Sequence, residues 1–263
     1  MPRLAANVST MFADAPFLDR FARAAKAGFK AVECQFPYQW NAADIRDRLK
    51  DNDLQLALFN LPAGYWAKGE RGLAALAGRQ NEFRDSVGRA LDYALDLGCR
   101  RLHVLSGTVA AGDDAEVMRR VYVDNLRYAA QFASLSQIEV LIEPISRETM
   151  PGYFLSSLDM AADIVDEVGE GNLFIQYDLY HRSFSGPELI GPYQTYAELI
   201  RHIQIAGWPD RHEPDNGELA WRETLEELDV LGYDGFVGCE YAPAGLTEDG
   251  LGWARGWIDG PRR

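Results

Sequence analysis

The chain has 263 residues, 47% of them hydrophobic and 11% aromatic, which is enough for a large core and excludes a disordered chain. Its formal net charge of −14 repels phosphate backbones, and no run of Lys and Arg exceeds two residues. Nucleic acid is therefore not an expected partner, and an anionic small molecule needs a local positive centre.

Short apolar runs rich in β-formers alternate with longer stretches of helical periodicity from end to end. A strand over 4–9 precedes a helix over 16–27, and 31–36 precedes 42–51. The strand 54–59 leads through a long loop to a helix over 79–97, and 101–106 precedes 115–134. The strand 138–143 precedes 157–168, and 173–178 precedes 188–200. The strand 202–206 precedes 221–231, and 235–240 precedes a last helical stretch over 247–258. Gly28, Gly98, Gly169 and Gly232 stand just ahead of strands, where helix C-caps belong. Eight strand–helix units predict a parallel sheet closed into one (β/α)8 TIM barrel, a single α/β domain over 1–263. An open doubly wound sheet would carry a Gly-rich phosphate loop after its first strand, and "NVSTMFADAP" has no GxGxxG.

Cys34, Cys99 and Cys239 are far apart, form no CxxC pair, and read as buried thiols of a reducing compartment. The N-terminus lacks the apolar core of a signal peptide, and no apolar run approaches membrane-spanning length. A cytoplasmic protein with no membrane partner is the expectation.

Four consecutive strands carry an oxygen ligand at or near their ends: Glu143, Asp178, Gln204 and Glu240, spaced 35, 26 and 36 residues apart. Each interval is one strand–helix unit, so these side chains fall on one rim of a barrel, the C-terminal face where such barrels carry chemistry. One carboxylate there is an ordinary loop acceptor, whereas a set of four points to a metal. Three carboxylates and an amide are hard donors, suited to Mg²⁺ or Mn²⁺ rather than Zn²⁺.

His181, three residues past Asp178, and Arg211, seven past Gln204, are candidates to touch substrate; each is as readily a loop residue. Lys68 and Arg71 lie in the long loop "NLPAGYWAKGERG" and offer the positive charge an anionic substrate needs, on a segment suited to a lid. His103 and His202 read as structural histidines, and His212 as either kind. Cys239 should face away from Glu240 by the strand period of two.

Taken together, "AANVSTMF", "NLPAGYWAKGERG", "LIEPIS", "FIQYDLYH", "HIQIAGWPDRHEPDNGE" and "VGCEYAPAGLTEDGLGW" resemble the hydroxypyruvate isomerase family of the xylose-isomerase-like barrels. The resemblance covers nearly the whole chain. It implies a divalent metal and a small anionic sugar-acid substrate whose carbonyl moves to the adjacent carbon by proton transfer through an enediolate. It places the two catalytic glutamates, also metal ligands, on Glu143 and Glu240, and the other ligands on Asp178 and Gln204. The "NLPAGYWAKGERG" and "YDLYH" segments are similar to the hydroxypyruvate branch. The "IAGWPDRHEPDNGE" and "GLTEDGLGW" segments are more similar to the branch acting on 2-oxo-tetronates, one carbon longer. Ala242 departs from the family's frequent "CEYKP", so a cation supplied there by Lys must come from elsewhere, or the substrate differs. Three other readings stay open. A keto-sugar 3-epimerase would be expected to carry His where Gln204 stands. An abasic-site endonuclease would want more histidines than four and a basic surface. A non-catalytic metal-bearing sugar-acid binding protein would need the pocket without two opposed glutamates.

Overall fold

In the computed structural model, which describes residues 2–258, the eight β-rich runs become eight strands. They are β1 (Arg3–Asn7), β2 (Ala31–Cys34), β3 (Gln55–Asn60), β4 (Arg101–His103), β5 (Glu139–Ile142), β6 (Leu173–Asp178), β7 (Ile200–Ile205) and β8 (Phe236–Cys239). Each pairs in parallel with the next, and β8 closes on β1, so the sheet is a closed barrel. The intervening helices are α1 (Phe17–Lys26), α2 (Ala42–Asp51), α3 (Gln80–Leu97), α4 (Ala115–Ser134) and α5 (Leu158–Val168). There follow α6 (Leu179–Ser183), α7 (Ile190–Tyr196), α8 (Trp221–Val230), α9 (Thr247–Gly250) and α10 (Arg255–Ile258). No described helix is long and apolar enough to cross a membrane.

The two faces of the strands have opposite chemistry. Outward residues such as Leu4 and Ala6, Val32 and Cys34, Ile203 and Ile205, and Val237 and Cys239 are buried in the main core beneath the helices. α4 meets that core with Met118, Tyr122, Leu126, Ala129 and Ala133, a stripe at three- and four-residue spacing. Inside the barrel, Ala5, Ala31, Ala57 and Phe236 form a small separate apolar cluster at the floor. Two residues further along, these strands turn polar: Ala5 gives way to Asn7, Ala31 to Glu33, and Phe236 to Gly238 and then Glu240. The barrel thus has an apolar base and an inner wall that gains hydrogen-bonding capacity toward the C-terminal face.

The expected helix ends hold. Gly28, Gly98, Gly169 and Gly232 take φ of 104°, 65°, 71° and 82°, left-handed conformations that would strain any residue with a Cβ. Three differences bear on the site or its surroundings. β5 and β8 stop at Ile142 and Cys239, so Glu143 and Glu240 sit one residue beyond their strands. A short helix, α6, starts directly after β6, because the Asp178 carboxylate accepts the Tyr180 N–H and caps it. The last helical stretch breaks into α9, a 3-10 turn over Leu251–Ala254 and α10, as Gly250, Gly252 and Gly256 weaken a continuous helix.

Candidate active site

The strand ends of β5 to β8 bring the sequence-predicted residues to one face. Glu143, Gln204, Glu240, His181 and Arg211 line a cavity of about 110 Å³ at the mouth of the barrel. Asp178 lies at its edge and, with His181, lines an adjoining cavity of about 600 Å³. The tightest grouping is Glu143, Asp178 and His181, which offer ligand atoms within 4.8 Å of one another. His181 Nε2 is 3.6 Å from Asp178 Oδ2 and 3.9 Å from Glu143 Oε1. His181 Nδ1 faces the hydroxyls of Thr149 and Ser146 at 3.2 and 3.3 Å.

Glu240 stands slightly apart and is joined to this group by Arg211. The Arg211 Nη2 lies 2.9 Å from Glu240 Oε2 and 3.5 Å from Asp178 Oδ2. Its guanidinium also packs over the Tyr180 ring at 4.9 Å. The backbone that aims it is unusual: Arg211 has φ 58°, and its carbonyl accepts the Ala242 N–H at 2.9 Å. His212 Nδ1 bonds the Ala242 carbonyl at 2.7 Å, and the buried Glu213 carboxylate accepts the Ala244 N–H. The loops after β7 and β8 are therefore zipped together at Ala242.

Burial governs the charges. It pushes the Glu143 carboxyl well above the ordinary range, and the charges of Asp178 and Glu240 push the same way. Burial raises Asp178 too, against the pull of Arg211, and lifts Glu240 to about 7. His181 and His103 are pushed down to about 3 by burial and stay neutral. Glu143 Oε1 and Asp178 Oδ2 are buried without a hydrogen-bond partner. Buried carboxylate oxygens left bare around one point suit a bound cation, or a proton where burial has raised the carboxyl. The donor set, dominated by carboxylate oxygen, suits a hard divalent ion such as Mg²⁺ or Mn²⁺.

The profile of the xylose isomerase-like TIM barrel matches residues 21–257. The chain belongs to that family. It is 49% identical to a 2-oxo-tetronate isomerase of Cupriavidus necator, over 98% of this chain and 99% of that protein. It is 42% identical to a hydroxypyruvate isomerase of Escherichia coli K12, over 96% of this chain and 98% of that protein. A crystal structure described as an AP endonuclease, family 2, from Brucella melitensis superposes with a TM-score of 0.95 at 46% identity. That match covers 98% of this chain and 99% of the other.

Two features of this xylose isomerase-like barrel depart from the sequence expectation. Lys68 and Arg71, expected at the substrate, pack on the loop itself: Lys68 lies 4.8 Å over Tyr65, and Arg71 4.1 Å over Trp66. Arg71 also donates to the Trp66 and Glu70 carbonyls, and both side chains line a separate cavity. The physical reason is local: cation–π contact and nearby carbonyls satisfy these charges without a ligand. The loop reaches the central cavity with Trp66, which packs against Phe36. The positive charge in that cavity belongs to Arg211.

The second feature is a polar layer beneath the cavity that the apolar run "AVECQF" conceals. Glu33 is fully buried, with His202 Nε2 2.6 Å from its Oε2 and the Asn7 and Gln204 amides donating to its Oε1. Gln35, two residues on, donates to Glu240 Oε1 at 2.8 Å, and Gln176 donates to Gln204 Oε1 at 2.6 Å. A period-two reading of β2 and β6 would have found these, since Glu33 and Gln35, and Gln176 and Asp178, share the inner face. His103, expected to be structural, has Nδ1 on Asn60 Oδ1 and Nε2 3.5 Å from Glu143 Oε2. Cys239 is buried on the outer face, where burial holds its thiol well above the usual range.

Proposed function

We propose that the protein is a divalent-metal-dependent sugar-acid isomerase that interconverts hydroxypyruvate and tartronate semialdehyde. The observation that carries this reading is the pairing of two buried acids, Glu143 and Glu240, just past the ends of strands five and eight, around a cavity that also holds Asp178's neighbour His181 and the cation Arg211. Isomerase relatives at 42–49% identity over nearly the full chain support it.

The ion would be held by Glu143, Asp178, Gln204 and Glu240, with His181 close enough to contribute. When bound, it would polarise the substrate's carbonyl and hydroxyl oxygens as a Lewis acid. The rest is the work of side chains. Arg211 offers its guanidinium to the substrate carboxylate, and His181 offers a ring nitrogen to a substrate oxygen. One glutamate takes a proton from the hydroxymethyl carbon of hydroxypyruvate. The other delivers a proton to the former carbonyl carbon, while the hydroxyl proton moves to the old carbonyl oxygen. Glu240, lifted to about 7, is matched to proton transfer near neutrality. Trp66 closes the mouth toward the 60–72 loop and keeps water from the enediolate.

A second reading is 2-oxo-tetronate isomerisation, which the relative at 49% identity and the departure at Ala242 favour. The nuclease reading conflicts with a net charge of −14. The test is turnover on hydroxypyruvate, 2-oxo-tetronates and related keto-sugars, with and without chelator and added Mg²⁺ or Mn²⁺. Metal-restored isomerisation of either acid supports the proposal, and the ratio of kcat/KM chooses the branch. Binding without turnover on the whole panel would leave a sugar-acid binding protein instead.

A further inference from the structure

Gln204 presents either its oxygen or its NH2 to the cavity, and only the oxygen can ligate a cation. The amide orientation can be traced to a fixed point. The Ser9 backbone N–H, which can only donate, points at Asn7 Oδ1 at 3.0 Å. That places the Asn7 NH2 toward Glu33, whose Oε1 accepts it at 2.9 Å. The same Oε1 is 2.7 Å from Gln204 Nε2, so the Gln204 NH2 also points down at Glu33. Its oxygen is left on the side away from Glu33, where it accepts from Gln176 Nε2 at 2.6 Å in a residue that lines the cavity. In the ionised carboxylate both oxygens only accept, and in a neutral carboxyl the proton belongs on Oε2, which faces His202 Nε2 at 2.6 Å, so Oε1 accepts from both amides in either form.

Space for this arrangement is reserved on the far side. A Cβ on Gly238 would run into the Glu33 carboxylate, so glycine at that inner position of β8 lets Glu33 reach between β1 and β7. Glu33 itself lines no part of the central cavity. It has no Lys or Arg partner among the described ion pairs, only His202. A buried acid of this kind is costly in a barrel interior unless its hydrogen bonds are complete.

We propose that Glu33 is a positioning residue for the metal centre: it locks the Gln204 amide with its oxygen toward the cavity, as a neutral fourth donor beside the carboxylates. This rests on the metal-dependent reading above, but its readout is metal affinity in the absence of substrate. Partners that orient a metal ligand typically change affinity by about 10- to 100-fold when removed.

The experiment measures Mn²⁺ affinity of the folded protein by competition with a chromophoric chelator. The variants are Glu33→Gln, Gly238→Ala, Gln204→Leu and the two doubles that combine Gln204→Leu with each of the first two. Circular dichroism establishes which variants are folded. Gly238→Ala, which displaces the Glu33 carboxyl, should weaken Mn²⁺ binding by about 10-fold or more, whereas Glu33→Gln, which keeps one acceptor oxygen for the Gln204 NH2, should weaken it less. In the Gln204→Leu background neither should weaken it further, since the oxygen they orient is gone. Gly238→Ala keeps the Glu33 side chain and only displaces its carboxyl, so it carries the test if Glu33→Gln does not fold. Full and independent losses in the doubles would overturn the proposal, as would a Gln204→Leu protein with unchanged affinity or an unaltered protein that binds no Mn²⁺. If Mn²⁺ binds and the coupling is found but no isomerisation occurs, the positioning role stands and the isomerase proposal fails.

Discussion

Glu240 should make the metal-free protein more stable as pH falls from 8 to 6, and replacing it with Gln should remove that gain. Burial lifts its carboxyl from 4.5 to about 7, so between those values the folded chain holds a proton that the unfolded chain has lost. With the folded value above the unfolded one, the stabilisation is complete below pH 4.5 and fades as pH rises through 7. The full shift corresponds to about 3 kcal/mol, of which about 1 to 2 kcal/mol develops between pH 8 and pH 6. For a chain of this size that is roughly 3–6 °C in Tm.

Other groups titrate in the same range. His103 and His181, pushed down to about 3, contribute stability above pH 6.5 that is lost as the pH falls, opposing the acids. The assay is therefore a difference: thermal unfolding of the wild type minus that of Glu240→Gln, both in chelator, at half-unit steps from pH 8 to 5.5. The histidine contribution cancels and the Glu240 contribution remains. Saturating Mn²⁺ should invert the wild-type behaviour, because the ion needs the carboxylate ionised. Its stabilising increment, about 2.7 kcal/mol at a hundred times Kd, should shrink as pH falls. A flat difference curve, or one that rises toward alkaline pH, would refute the view that Glu240 is a buried acid awaiting a cation.

On the proposed mechanism Glu143→Gln keeps an oxygen for the ion but loses the base, so kcat should drop by roughly 10²- to 10⁴-fold with Mn²⁺ still bound, as steady-state kinetics at saturating metal would record. Solvent deuterium should enter the product of the wild type at the newly protonated carbon, seen by NMR; complete retention of the substrate's own hydrogen would point to a hydride shift. Asp178→Asn retains an acceptor for the Tyr180 N–H, so the α6 cap should survive while Mn²⁺ affinity falls in calorimetric titration. Arg211→Ala leaves Glu240 and Asp178 without their cation. The metal-free protein should lose only about 1 kcal/mol of stability in urea unfolding, because Arg211 is partly exposed and the raised acids can take up protons in its place, and KM for the acid substrate should rise.

Much of this site was visible along the chain because a barrel turns sequence spacing into angular position. Glu143, Asp178, Gln204 and Glu240 recur once per strand–helix unit, and a closed parallel sheet must place such residues on one rim. Gly28, Gly98, Gly169 and Gly232 marked the units because a left-handed cap leaves a residue-type signature. Orientation within the rim leaves none. Lys68 and Arg71 have the charge a substrate wants, yet aromatic rings three and five residues earlier hold them against their own loop. Arg211 has the same charge on a comparable loop, but its positive φ and its bond to Ala242, thirty-one residues later, swing it inward. Glu33 shows the opposite difficulty. Asn7 lies beside it on the paired strand β1, but His202 and Gln204 come from β7, which meets Glu33 only across the interior of the closed barrel. What the chain does carry is the need for such partners: an acid at an inward position of a buried strand cannot be left unsatisfied. Asn7, Gln35, Gln176, His202 and Gln204 are the inward polar residues of the neighbouring wall, so a polar stripe at period two in strands otherwise apolar marks the layer that supports a site, one step below the residues that carry its chemistry.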